Sequence, residues 1–191
     1  NRRRWGGYIV HVGIVMIYFA FAGAAYNVDE RQHMLPGDQV DITSPFGHTY
    51  TLTYEGLSVS LGRGQRNLLW QAIATVSVEQ DGVAKGILMP EKRQYVTSDQ
   101  IMSEVDIRST VREDLYLILS AMDDVDGALS ANSSAQGIDL QVLVKPFVLW
   151  IWYGGVILAL GTVIALWPSV NRRRRSNQPE LEAVTTSAPA M

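Results

Sequence analysis

Residues Trp5–Tyr26 read WGGYIVHVGIVMIYFAFAGAAY, 22 positions without an Asp, Glu, Lys or Arg. At about 1.5 Å rise per residue, a helix of this length spans roughly 33 Å and can cross the hydrocarbon core of a bilayer. A second stretch, Phe147–Trp167 (FVLWIWYGGVILALGTVIALW), is 21 residues long and equally free of charge. Arg2, Arg3 and Arg4 precede the first run, and Arg172 to Arg175 follow the second. Cytoplasmic flanks carry the Lys/Arg excess, so both ends of the segment are expected in the cytoplasm. The 120 residues between the runs are then expected outside it, in the periplasm if the membrane is a Gram-negative inner membrane.

Aromatic side chains fit the same placement, since they favour membrane interfaces. Trp5, Tyr8 and Trp167 would mark the cytoplasmic interface, and Tyr26, Trp150, Trp152 and Tyr153 the outer one. Pro146 suits the first position of the second helix, where a missing N–H is not needed. The expected organisation is a basic flank (1–4), a membrane helix (5–26), an outer domain (27–146), a second membrane helix (147–167) and a basic flank with a disordered tail (168–191). A cleaved signal peptide ending near Ala22-Gly23-Ala24 is the competing reading, but the apolar run is long for one. The chain also starts at Asn1 rather than Met, which points to a piece of a larger chain or a mature product.

The net charge of −3 hides an asymmetry: residues 27–146 hold nine Lys and Arg against seventeen Asp and Glu, giving −8. An acidic outer segment argues against nucleic acid and favours basic partners, although a solvated surface explains it as well. No cysteine occurs, which excludes disulfides, Cys-ligated zinc and Cys-attached haem for these residues.

The outer segment reads as β-structure. Alternation at Thr49–Tyr54 and Leu57–Leu61, and the runs Ala74–Glu79 and Val83–Met89 around Gln80-Asp81-Gly82, are strand and hairpin signals. Glu104–Arg108, Leu115–Ala121 and Ile138–Val144 add three more strands, with Asp126–Gly137 as a mobile loop. Six to eight antiparallel strands imply a small barrel or sandwich, so the fold class is membrane α+β. Lys85, Lys92 and Arg93 are expected at sheet edges, where charge resists unwanted pairing.

No enzyme constellation stands out in this segment. Ser109 and Thr110 have no nearby histidine in sequence, and Gly62-Arg63-Gly64 is too short for a phosphate loop. His33 and His48 read as exposed strand or loop residues rather than ligands. The run Asp123, Asp124, Asp126 lacks the glycine and distal glutamate of a calcium loop and reads as a solvated turn.

His11 is different, because it is the one ionisable side chain of its kind inside an apolar run, and such residues mark function by default. It lies about 9 Å along the helix from Trp5, in the cytoplasmic half. Helical spacing puts it on a face with Arg4, Gly7, Tyr8, Ile14, Val15 and Tyr18. Three roles compete: axial ligand to haem iron, proton-relay residue, or hydrogen-bonded packing residue. The last two usually come with an intramembrane acid or lysine, which neither run supplies. Gly7 would leave room for a planar macrocycle, though small residues such as Gly7 and Gly23 also serve helix packing. The second run has no His or Met, so a second iron ligand would lie outside these residues.

Four stretches, in order, resemble the C-terminal region of the CcmF family, the cytochrome c-type biogenesis haem lyases. They are Arg3-Arg4-Trp5-Gly6-Gly7-Tyr8-Ile9-Val10-His11-Val12-Gly13, then Pro90-Glu91-Lys92-Arg93-Gln94-Tyr95, then Ile107 through Tyr116, then Lys145-Pro146-Phe147 through Gly154-Gly155. The resemblance implies a polytopic membrane protein that joins haem to apocytochrome c on the outer side of the membrane. It implies a transmembrane haem b held between two membrane histidines, the second matching His11, and reduction of incoming haem by electrons from quinol. It further implies a CcmE-like haem chaperone, a CcmH-like subunit presenting apocytochrome c, and contact with the rest of a CcmF-like chain. The family's tryptophan-rich motif, its two outer histidines and its first membrane histidine have no counterpart here, so these residues alone are not expected to catalyse ligation. Arg108, Arg112, Glu113 and Asp114 fall in a family motif and read as a structural charge network. The rival readings are a two-helix membrane-anchored sensor or binding module, which would normally continue into a signalling domain, and a structural assembly subunit.

Overall fold

The computed structural model describes residues 2–62, 67–97, 100–124, 127–128 and 135–167. Gly62-Arg63-Gly64, Asp126, most of the loop up to Gly137 and Arg172 to Arg175 therefore lie wholly or partly outside the described residues. Two helices, α1 (Arg2–Gly23) and α2 (Val148–Leu166), are long and apolar enough to cross a membrane. They enclose, in sequence, ten strands among the described residues: β1 (Val28–Met34), β2 (Gln39–Thr43), β3 (Thr49–Leu61), β4 (Leu68–Gln80), β5 (Val83–Leu88), β6 (Glu91–Tyr95), β7 (Ile101–Glu104), β8 (Asp106–Ser109), β9 (Glu113–Met122) and β10 (Ile138–Pro146).

The strands form two antiparallel sheets, ordered β1-β10-β9-β8 and β2-β3-β4-β6-β7, with β5 also pairing β4. Alternate residues from each sheet meet in one core. Leu115, Leu117, Leu119, Ile138, Leu140, Val142 and Val144 face Tyr50, Leu52, Tyr54, Trp70, Ala72, Ala74, Val76 and Val78. A period of two, with one face buried, is why these segments read as strands. The outer segment is thus a sandwich rather than a barrel.

Three details were not predicted. The two runs expected at Thr49–Tyr54 and Leu57–Leu61 are one strand, interrupted by a bulge between Tyr54 and Gly56 that leaves Glu55 unpaired. Gly56 has φ 153°, and the extra residue shifts the alternation so that Leu57 returns to the core. The strand expected over Glu104–Arg108 is two strands that break at Val105, β7 ending in one sheet and β8 starting in the other. Lys92 and Arg93 are not at an edge: β6 lies between β4 and β7. Lys92 pairs with Ala72, turns the same way, and its ammonium pKa is lowered by burial. Arg93 instead bridges Glu91 and Glu104. The Asp81-Gly82 turn is as expected, with φ of 51° and 76° as a two-residue hairpin loop requires.

The sandwich is tied to the helices at one end of a single strand pair. β1 follows α1 through a short turn and pairs with β10, Val28 opposite Val144, and β10 runs into α2. Phe147, at the junction, adopts a left-handed φ of 60°. Its N–H donates to the Arg112 carbonyl (2.8 Å), and the Trp150 indole N–H donates to the Val111 carbonyl (2.8 Å). Those two bonds dock the β8–β9 turn onto the first turn of α2.

Candidate functional site

The helices pack antiparallel through a seam of small residues. Gly6, Gly13, Ala20 and Gly23 are the buried positions of α1, and Gly154 and Gly161 those of α2. A methyl group on Gly13 would lie 2.7 Å from the Gly154 carbonyl oxygen, and one on Gly161 would lie 2.7 Å from the Val10 nitrogen. Only glycine permits this approach, the usual basis of close helix pairing in lipid. The seven-residue spacing of Gly6, Gly13 and Ala20 keeps the seam on one stripe.

His11 lies about 160° around the axis from that stripe. Its ring is exposed, on the face of α1 that α2 leaves open. Nδ1 donates to the Gly7 carbonyl oxygen, one turn earlier, at 2.7 Å. A carbonyl can only accept, so Nδ1 is the donor, and in the neutral ring the lone pair then sits on Nε2. This is the tautomer that backbone-bonded imidazoles present to metals. A methyl group on Gly7 would meet nothing within 4 Å, so Gly7 plays no part in the helix seam, and space beside the ring is open. Gly23, in contrast, packs against Phe147 and Pro146. A free Nε2 next to an open notch fits an axial bond to the iron of a planar macrocycle. Arg4 and Tyr8 complete the face below, the Arg4 Nε–H donating to the Tyr8 hydroxyl at 3.0 Å.

The other histidines are held by carboxylates on the sandwich surface. His33 Nδ1 bonds Asp139 at 2.9 Å and its Nε2 lies 3.7 Å from Asp123; the bond to Asp139, then the charge of Asp123, raise its pKa. His48 Nδ1 bonds Asp81 at 2.7 Å. The Thr49 N–H first, and His48 second, hold the Asp81 carboxyl below its ordinary range. Among the described residues no group of three His, Asp or Glu side chains has metal-binding geometry.

The Ile107–Tyr116 stretch forms the β8–β9 hairpin. Glu113 and Asp114 are buried although charged. The Tyr50 hydroxyl donates to Glu113 Oε1 across the sheets at 2.8 Å, and burial, then this carboxylate, raise the tyrosine's pKa. Arg108 donates to the Lys85 carbonyl from the other side at 2.8 Å. Thr110 closes the turn, its hydroxyl donating to the Glu113 carbonyl at 2.6 Å, and burial raises the Asp114 pKa. Arg112 contributes its backbone to α2, as described. The motif thus locks hairpin, sandwich and helix together. Sequence reading missed Tyr50 as the partner of Glu113, because 63 residues separate them.

A β-sandwich carried on two membrane-type helices, one of them presenting a histidine with a free ring nitrogen, is the class of protein these features define. The family described as CcmF C-terminal beta-sandwich matches residues 25–146. The chain belongs to the CcmF family. It is 31% identical over 91% of its length to the cytochrome c-type biogenesis protein CcmF of Escherichia coli (strain K12), covering 24% of that protein. It is 30% identical over 92% of its length to the protein of the same name from Pseudomonas fluorescens, covering 23% of it. The chain therefore spans about a quarter of the length of the curated relatives it matches. A solved structure titled Cytochrome c Heme Lyase CcmF shares the fold, with a TM-score of 0.67 at 19% identity over 88% of this chain and 25% of that one.

Proposed function

We propose that these residues form the C-terminal part of a haem lyase that attaches haem to apocytochrome c on the periplasmic side of the inner membrane. His11 would hold a transmembrane haem b through Nε2, together with a further ligand from outside these residues. The observation that carries this reading is the bond from Nδ1 to the Gly7 carbonyl, which leaves Nε2 free on an uncovered helix face. When bound, haem b supplies one-electron chemistry, here reduction of the incoming haem with quinol as electron source. The chain's own residues fix the imidazole tautomer, keep the Gly7 notch open, and hold the sandwich at the membrane through Val111, Arg112 and Trp150.

Both ends of the segment lie in the cytoplasm and residues 27–146 in the periplasm, supported by Arg2–Arg4 and Arg172–Arg175. The CcmE-like chaperone, CcmH-like subunit and apocytochrome c would act on that outer side, with the sandwich as a docking module rather than a catalytic one. The test is the visible spectrum of the purified full-length protein beside a His11→Ala variant. Loss or displacement of the b-type Soret band on substitution is the expected result. A packing histidine would make the same bond to Gly7, and an unchanged Soret band would refute the ligand role.

A further inference from the structure

The underside of the sandwich, the surface turned toward the helices, ends in hairpin turns with apolar tips. The β2–β3 turn carries Phe46, 40% exposed, and the β8–β9 turn carries Val111, 56% exposed. Neither side chain hangs free of the helices in depth. Phe46 packs edge-to-face on Phe147 (ring centroids 5.3 Å apart), which in turn packs on Phe19 and Trp150. Val111 is level with Trp150, whose indole bonds its carbonyl. A cleft of about 170 Å³, lined by Tyr26, Pro45, Phe46, Pro146 and Phe147, opens between sandwich and helices. The apolar surface of the membrane helices therefore reaches the base of the outer domain at Phe46 and Val111, the latter beside the exposed Arg112.

We propose that this underside is a lipid-contact surface, seated in the outer leaflet with Phe46 and Val111 at the headgroup–acyl boundary and an acyl chain against the Phe46–Phe147 cleft. The junction of the two surfaces selects lipid as the occupant. Exposed aromatic and aliphatic side chains at that depth are favoured in the interfacial zone and disfavoured in water. The contact is apolar rather than electrostatic, because residues 27–146 carry a charge of −8 and are repelled by anionic headgroups. It rests on the reading of α1 and α2 as membrane-spanning.

The experiment places a single fluorophore on the full-length protein, other cysteines replaced by serine, reconstituted in phosphatidylcholine vesicles containing acyl-brominated lipid. Labels go at Val111→Cys, at Leu35→Cys in the turn at the far end of β1, and at Val156→Cys on the exposed face of α2. The expected result is loss of most fluorescence at Val111 and Val156, none at Leu35, and the reverse order with aqueous iodide. Adding anionic lipid or salt leaves the Val111 quenching unchanged. Quenching at Val156 but not Val111 overturns the underside proposal alone. Shielding of Val111 from both quenchers also overturns it, since protein would then cover the surface. Absence of quenching at both sites overturns it together with the membrane placement of α2. A label at the exposed neighbour Arg112→Cys repeats the test should the Val111 variant fold poorly.

Discussion

The chain has three histidines, and its two regions treat them in opposite ways. In the sandwich, His33 and His48 each bond a carboxylate, at 2.9 and 2.7 Å. In the helix pair no carboxylate exists, and His11 bonds the carbonyl of its own preceding turn. A bare acid in lipid costs several kcal/mol, whereas a backbone carbonyl is already there. One ring nitrogen of His11 is therefore satisfied without a new charge, and the other stays available. The regions also pack by opposite means: large side chains interlock in the sandwich, and their absence lets the helices touch.

That second contrast sets the largest effects. Leu117→Ala removes a fully buried side chain from the middle of the core and should destabilise the sandwich by about 2–5 kcal/mol, read as a lower urea midpoint of the outer domain in the full chain. For the helices the damaging change adds atoms. Gly13→Leu drives a side chain into the Gly154 carbonyl and should cost about 1–3 kcal/mol, read as a lower midpoint in SDS titration with the urea midpoint unmoved. Gly7→Leu sharpens the comparison, because a methyl group at that position would meet nothing within 4 Å. It should leave both midpoints in place, while filling the notch beside His11 and lowering haem content under the ligand reading. Equal damage from Gly7→Leu and Gly13→Leu would show that the helix has no privileged seam.

Polar burial gives a smaller effect. Tyr50→Phe deletes the donor to Glu113 Oε1, and among the described residues the buried Glu113 Oε2 and Arg108 Nε have no hydrogen-bond partner. A buried carboxylate deprived of its donor loses about 1–3 kcal/mol, seen in the urea midpoint. Tyr54→Phe should be milder. Its hydroxyl, pKa pushed up to about 12 by burial and then by Asp123, donates only to the half-buried Gln136 carbonyl.

The helices and most strands were legible in the sequence because each depends on local pattern: charge-free runs of 21 and 22 residues, and alternation with period two. His11 stands out as the histidine inside a run without Asp, Glu, Lys or Arg, and its bond to Gly7 is itself a one-turn relation. What was not legible depends on distance in the chain. The bulge at Gly56 joins two stretches that look like separate strands because it reverses their phase. The glycine seam could have been noticed as Gly6, Gly13, Ala20 against Gly154, Gly161, yet sequence alone does not say which face meets the partner. Gly7, adjacent to Gly6, lies on the other side. His33 and Asp139 meet only through strand register, and Glu113 and Tyr50 only where the two sheets pack face to face.

The His33 cluster makes the smallest prediction and tests the comparison at its origin. Asp139 by hydrogen bond, then Asp123 and Asp38 by charge, favour the protonated ring in the folded chain and raise its pKa above 6.5. A raised folded pKa means the cluster's contribution is fully present below about pH 6.5 and fades as pH rises through the folded value. His33→Gln should therefore lower the urea midpoint at pH 5.5–6 and have progressively less effect toward pH 8, a small difference because the ring is half exposed. A pH-dependent midpoint that survives His33→Gln would mean that another group, not this clasp, reports the proton.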